Sequence, residues 1–173
     1  MKQLTVGLMM SAVFVSQVFA QTFSKAVDQY SVQKMATMEH EHKMVQMPAE
    51  ALEPKLAIHL TRDEKSGFNL AIDTENFQLE PPEQGNDAPA DLLEGHAHIF
   101  INGEKIYRAY GRYIHLPATL FNPGVNQIMV SLNDHAHNTW SRGPRMVMST
   151  VVIDTSKPNF LQHEFSTFGL TAR

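Results

Sequence analysis

The stretch Leu93-Glu-Gly-His-Ala-His-Ile-Phe-Ile-Asn102 carries the pattern from which the fold can be read. Glu94, His96 and His98 alternate with small or apolar residues, and residues two apart lie on the same face of a β-strand. The stretch therefore predicts a strand with two imidazoles and one carboxylate on one face. The opposite face is apolar and suits a protein core, with Ala97, Ile99 and Ile101.

A hairpin turn is predicted directly after this strand. Asn102-Gly103 favours a two-residue turn because both residues tolerate positive φ. The return strand would then run from Glu104 to Tyr110. Other alternating or β-rich segments predict further strands, at Leu56–Thr61, Phe68–Asp73, Phe77–Glu80, Tyr113–Pro117, Gln127–Leu132 and Met146–Asp154. Short strands at near-regular spacing with turn residues between them indicate an all-β, antiparallel β-sandwich of immunoglobulin-like or cupredoxin-like type.

The two ends of the chain differ in composition from this central part. Residues 1–20 have a basic start, an apolar run and small residues before Gln21, which is typical of a secretory signal peptide. We therefore expect an exported protein, periplasmic or secreted, that does not insert into a membrane after signal cleavage. Residues 21–54 form a Met/His-rich arm and linker, either flexible or a short helix. Residues 55–156 form the sandwich, and residues 157–173 are a tail that stays loose or adds an edge strand.

Composition excludes several classes of site. The chain has no cysteine, so disulfides, thiolate zinc sites, iron–sulfur clusters and blue-copper sites are excluded. The formal net charge of −4 is mild, and its Lys and Arg residues form no basic stripe. A nucleic-acid partner is therefore not expected.

All nine His residues lie after the predicted signal peptide, and several fall at strand ends. Convergence of these imidazoles predicts a metal site formed by His96, His98, His115 and His135. We prefer His135 over the alternative, His137. His135 directly follows Asp134, and a carboxylate beside a ligand can fix the imidazole tautomer. Glu94 is a secondary candidate on the same strand face.

A second set of metal-binding side chains lies in the arm between Met35 and Met47. Thioethers favour Cu(I) and imidazoles accept Cu(II), so the arm can collect either ion without being folded. Its candidate ligands are Met38, His40, His42, Met44 and Met47.

Four motifs carry a resemblance to known proteins: Gly95-His-Ala-His98, Tyr110-Gly-Arg-Tyr-Ile-His-Leu116, Asn122-Pro-Gly-Val-Asn126 and Val130-Ser-Leu-Asn-Asp-His135. Together they resemble a group of small exported bacterial β-domains with a Gly-His-x-His strand and a late Asn-Asp-His. The likeness covers Leu93 to Asn138 and implies an exported β-sandwich. The chain is also similar in style to CopC-type periplasmic copper-binding proteins, which implies copper as ligand, although Gln21 stands where those proteins have an N-terminal His ligand.

These observations predict an exported copper-binding protein that buffers or delivers the ion. Cu(II) would bind the sandwich and Cu(I) the arm, zinc is a second possibility, and a periplasmic metal donor or acceptor is the expected partner. An exported structural or protein-interaction module without metal is the alternative. A cupin-like or dismutase-like metalloenzyme is a third hypothesis, but no nucleophile with an adjacent base supports catalysis.

Overall fold

The computed structural model describes residues 43–82, 89 and 91–170, and almost all of its regular structure is β-strand. The single short exception is a 3-10 turn at Ala118–Leu120. The strands are β1 (Met44–Gln46), β2 (Lys55–Arg62), β3 (Phe68–Glu75), β4 (Phe77–Leu79), β5 (Leu93–Ile101), β6 (Glu104–Ala109), β7 (Tyr113–Leu116), β8 (Val125–Asn133), β9 (Thr139–Arg142), β10 (Arg145–Met146), β11 (Met148–Asp154) and β12 (Leu161–Ser166).

The strands form two sheets, and the predicted antiparallel sandwich is confirmed. In the nine-stranded sheet β5 and β8 are central: β5 pairs with β8, β4 and β6, and β8 pairs with β11 and β9. β12 extends the sheet beyond β11, and β1 and β10 flank β9. The smaller sheet has the order β2-β3-β7. Only β1–β9 and β4–β5 among the described pairs are parallel.

The core consists of apolar side chains from both sheets, as the alternation predicts. Buried residues of the smaller sheet include Ile58, Leu70 and Ile72. Buried residues of the larger sheet include Ala97, Ile99, Ile101, Ile128, Val130, Val151 and Ile153. The apolar face of β5 therefore packs in the core, and the face that carries Glu94, His96 and His98 points away from it.

Two segments outside the predicted sandwich add strands to it. Met44–Gln46, which the sequence assigns to a flexible or helical arm, forms β1 and pairs with Thr139–Ser141 of β9. Leu161–Ser166 of the predicted tail forms the edge strand β12 against β11. Within the described part of the chain, no helix is long and apolar enough to cross a membrane.

Gly95 marks a close approach between β5 and β8. Its φ is +148°, and a Cβ placed on it would lie 2.0 Å from the carbonyl oxygen of Asn133. No side chain fits there without moving backbone. Glycine is therefore required immediately before the two imidazoles of β5.

We expect Gly95→Ala to lower the free energy of unfolding by roughly 2–4 kcal/mol, because backbone must move to admit the methyl group. Urea unfolding followed by the fluorescence of Trp140 measures the effect. Gly111→Ala is the matched control, since nothing lies within 4 Å of a Cβ at that position. Equal stability of the two variants would contradict the required close approach.

Candidate metal centre

β5 presents two imidazoles on the outer face of the larger sheet. His96 and His98 are nevertheless buried, at 0% and 4% relative exposure. In the β5–β8 register His96 lies opposite Asn133 and His98 lies opposite Ser131. Each imidazole thus has a polar neighbour on β8 on the same face of the sheet.

The turn between β8 and β9 carries two further His residues and is held by its first and last residues. The carboxylate of Asp134 accepts hydrogen bonds from the backbone N–H and the side-chain amide of Asn138, at 2.7 and 2.9 Å. The backbone N–H of His137 donates to the carbonyl of Asp134 at 3.0 Å. His137 itself has a positive φ of 70°, a left-handed conformation uncommon for residues other than glycine.

Asn133 joins this turn to the sheet. Its Nδ2 donates to the carbonyl of His137 at 3.3 Å and to Oγ1 of Thr139 at 3.1 Å. Its Oδ1 accepts a hydrogen bond from Oγ of Ser131 at 2.8 Å. One buried amide therefore fixes the turn relative to the strand that faces His96 and His98.

The result is a compact triangle of three imidazole nitrogens. Nε2 of His96 lies 2.9 Å from Nε2 of His98 and 3.0 Å from Nδ1 of His137. The third edge, from Nε2 of His98 to Nδ1 of His137, is 3.3 Å. The ligand atoms come from two chain segments that the β5–β8 pairing brings together.

The three imidazoles are neutral at neutral pH. Burial, and after it neighbouring positive charges, lower the pKa of His96 to about 4 and that of His98 to about 3. Burial also lowers the pKa of His137, followed by the charges of Arg108 and Lys105. Neutral imidazole has one nitrogen with a free lone pair, which is the form that binds a metal.

Hydrogen bonding alone cannot satisfy this triangle. Each nitrogen of a neutral imidazole is either an N–H donor or a lone-pair acceptor. Among three nitrogens in mutual contact, at least two must both be donors or both be acceptors. At least one of the three contacts therefore places two N–H hydrogens, or two lone pairs, against each other and cannot be a hydrogen bond. A cation that accepts all three lone pairs removes this conflict, and the cluster His96, His98 and His137 can hold a metal ion.

The distances also fit a metal. With metal–nitrogen bonds of about 2.0–2.1 Å, two nitrogen ligands are about 2.9 Å apart at right angles and about 3.3 Å apart at the tetrahedral angle. The observed edges lie in this range. Ligands this close together occupy one side of the ion and leave the other side for additional ligands.

His135 lies beside the triangle and is not one of its corners. Its ring is nearly parallel to that of His96, at a centroid distance of 6.4 Å. Its Nε2 lies 3.6 Å from Oε1 of Glu94. Both nitrogens of His135, Oε2 of Glu94 and Nδ1 of His96 are buried and have no hydrogen-bond partner among the described residues.

The structure therefore joins His96 and His98 with His137, where the sequence favoured His135. The preference for His135 rested on Asp134 orienting its imidazole. In the structure both oxygens of that carboxylate accept hydrogen bonds from Asn138. Asp134 shapes the turn, and the turn directs His137 toward β5.

His115 is not brought to the cluster. After β6 the chain leaves the larger sheet and enters the smaller one, where His115 lies on β7 opposite Asn69. Its imidazole is exposed, and its Nδ1 lies 3.0 Å from Oδ1 of Asn69. His115 is therefore not grouped with His96 and His98, because the consecutive strands β6 and β7 belong to different sheets.

The structure describes only two of the predicted metal ligands in the arm, Met44 and Met47. Met38, His40 and His42 lie outside the described residues. Met44 is half exposed on β1, whereas Met47 is 7% exposed and belongs to the hydrophobic core. The thioether of Met47 therefore packs in the core, which differs from its predicted role in a metal-binding arm.

Asn133 and Ser131 were not singled out from the sequence as site residues. The signal available was their period of two along β8, which places both on the face opposite the core residues Val130 and Leu132. Their role becomes visible only with the β5–β8 register.

Comparison with protein-family models, with curated proteins and with solved structures finds no match for this chain.

We expect the metal-free protein to lose stability as the pH falls from 7 to 5. The unfolded chain takes up protons on His96 and His98 near pH 6.5, whereas the folded chain resists them until about pH 4 and about pH 3. The free energy of unfolding should fall by up to about 2 kcal/mol for each of the two residues. Urea unfolding in the presence of a chelator measures this dependence.

His98→Gln should show a smaller change between pH 7 and pH 5, because one of the two responsible imidazoles is gone. Gly111→Ala is the control and should keep the pH dependence of the native chain, since it changes no ionisable side chain and nothing lies within 4 Å of its added Cβ. An unchanged pH dependence in His98→Gln would contradict the assignment of a buried neutral imidazole at this position.

Proposed function

We propose that this protein is an exported metal-binding protein and that its ion is copper, bound as Cu(II) at His96, His98 and His137. The observation that carries the proposal is the triangle of imidazole nitrogens with edges of 2.9, 3.0 and 3.3 Å. The two chain segments that provide these nitrogens are preformed by strand pairing and by the hydrogen bonds of Asn133 and Asp134. Such preorganisation lowers the entropy cost of binding.

The donor set supports copper over most other divalent ions. Three neutral imidazoles without a thiolate suit copper, zinc and nickel, and among divalent first-row ions copper binds nitrogen ligands most tightly. Zinc remains the second candidate because it accepts the same three ligands. The proposed role is buffering or delivery of the ion, with a periplasmic metal donor or acceptor as the partner.

The hydrogen bond between Lys43 and Thr139 supports delivery. The carbonyl of Lys43 accepts a hydrogen bond of 2.8 Å from the backbone N–H of Thr139, two residues after His137. The sequence that immediately precedes Lys43 contains Met38, His40 and His42. Lys43 therefore lies beside the end of the turn that carries His137, and we infer that the Met/His sequence before it passes ions to the cluster.

A Cu(II) titration of the chain from Gln21 onward tests the site. We expect one-to-one binding, a visible d–d band and a raised melting temperature. His98→Ala and His137→Ala should each weaken the affinity at least about 100-fold, because each removes a direct ligand. Zn(II) is titrated in parallel to rank the two ions.

His115→Ala and His135→Ala are the matched controls for this titration. His115→Ala should bind Cu(II) like the native chain, and His135→Ala should lose much less affinity than His137→Ala. Absence of stabilisation by both copper and zinc would overturn the proposal. Equal losses in His115→Ala and His137→Ala would show binding at a different place.

The contribution of the arm is tested separately in the combined variant Met38→Leu, His40→Ala, His42→Ala. We expect it to keep the Cu(II) affinity of the cluster and to lose Cu(I) affinity by roughly tenfold or more, since thioethers favour the reduced ion. Competition with a chromogenic Cu(I) chelator measures this loss. Met47 is left unchanged because it belongs to the core, and an unaltered Cu(I) affinity would remove the arm from the mechanism.

A further inference from the structure

Two basic residues of β6 flank the cluster. Arg108 lies directly opposite His98 in the β5–β6 register, and Lys105 lies opposite Phe100 on the same face. Residues facing each other across antiparallel strands have Cβ atoms about 4.5–5.5 Å apart. Both basic side chains are exposed and form no hydrogen bond or ion pair with described residues.

A β-bulge places Arg108 opposite His98. The β5–β6 register shifts between Ile99 and Phe100, so that Ile106 is the extra residue on β6. Without the bulge Tyr107 would face His98, and Arg108 would not. Bulges redirect side chains and are frequent at functional sites, and this one brings a guanidinium to the side of the triangle.

The charges around the cluster are unfavourable for a bare divalent ion. Its three ligands are imidazoles, which bring no negative charge, and the guanidinium of Arg108 lies opposite one of them, His98, in the β5–β6 register. Among the described carboxylates, Asp134 is hydrogen-bonded to Asn138. Glu94 lies beside His135 with its Oε2 buried and unpartnered, and neither carboxylate is one of the three grouped ligands. A cation held by the three imidazoles would therefore have only uncharged ligands from this cluster and would lie beside two unpaired positive side chains.

We propose that the cluster binds its metal together with a small anion, which occupies the open side of the ion and is held by Arg108 and Lys105. The anion is a carboxylate or oxyanion small enough to reach the metal with one donor atom while it accepts hydrogen bonds from the guanidinium with another. Arg is suited to this contact because its planar fork matches carboxylate geometry. The inference deepens the proposed function and rests on it.

Two observations point to the same class of ligand. The spacing of the three nitrogens confines the protein ligands to one side of the ion, so that a further ligand has room. The basic side chains favour a negatively charged ligand at this position, since an anion offsets both the charge of the metal and the charges of Arg108 and Lys105. Water alone would fill the coordination position without balancing these charges.

The test uses azide as the probe on the Cu(II)-loaded chain, followed by the azide-to-copper charge-transfer band at constant ionic strength set with perchlorate. Acetate is then added as a competitor that represents the carboxylate class. We expect azide to bind and acetate to displace it. Arg108→Ala and Lys105→Ala should each weaken azide binding by roughly tenfold, the value of one charge-assisted hydrogen bond.

The same variants should bind Cu(II) at least as tightly as the native chain, because each removes a repulsive charge. Lys65→Ala, which removes an exposed Lys on the β2–β3 turn, is the matched control and should change neither affinity. Arg108→Glu should raise the Cu(II) affinity and weaken azide binding further than Arg108→Ala. Opposite effects on metal and anion distinguish a role in anion binding from a general loss of structure.

The outcomes separate this inference from the function on which it rests. Cu(II) binding that depends on His98 and His137, with equal azide affinities in the native chain and in Arg108→Ala, would overturn the anion site alone. Cu(II) binding without any azide band would overturn it as well. Failure of copper and zinc to bind the cluster would overturn both proposals.

Discussion

The pairing of β5 with β8 is the interaction on which both the core and the cluster depend. It sets Ile99 against Val130 inside the sandwich and His98 against Ser131 outside it. A register slip of one residue would send the imidazoles into the core and the apolar residues to the surface. Gly95 belongs to this constraint, because its missing side chain lets β5 approach the carbonyl of Asn133.

The same pairing fixes the turn that provides the third imidazole. β8 ends at Asn133, whose amide bonds both the carbonyl of His137 and the hydroxyl of Thr139. Since Asn133 also faces His96, its buried side chain links the strand opposite His96 to the turn that carries His137. The 3.0 Å separation of their nitrogens is therefore a consequence of strand register combined with one amide.

The sequence predicts the parts of this arrangement that depend on neighbouring residues. Alternation along Leu93–Ile101 gives the strand, its two faces and the shared side of His96 and His98, and Asn102-Gly103 gives the hairpin. The positive φ of Asn102, 52°, and of Gly103, 85°, agrees with that turn. Each of these features is decided within a few residues, where pattern and turn chemistry are strongest.

What the sequence does not predict depends on distant partners. β1 has only three residues, and its strand conformation comes from pairing with β9, which lies far along the chain. His115 is assigned to the wrong surface because alternation does not reveal a crossing between sheets. In the β8–β9 turn, alternation no longer applies, and the choice between His135 and His137 depends on hydrogen bonds between Asp134 and Asn138.

Neutral, preformed imidazoles have a further consequence for a protein of this kind. A metal must displace protons from any His that is protonated, so binding normally weakens as the pH approaches 6.5. Burial is the main cause that holds the pKa of His96 at about 4 and that of His98 at about 3, so a metal ion bound by the cluster would meet little competition from protons in mildly acidic surroundings. The β5–β8 pairing buries these two imidazoles, and their burial keeps them uncharged. The geometry of the cluster and the stability of the sandwich are therefore set by the same contacts, and a substitution that loosens the pairing should weaken both.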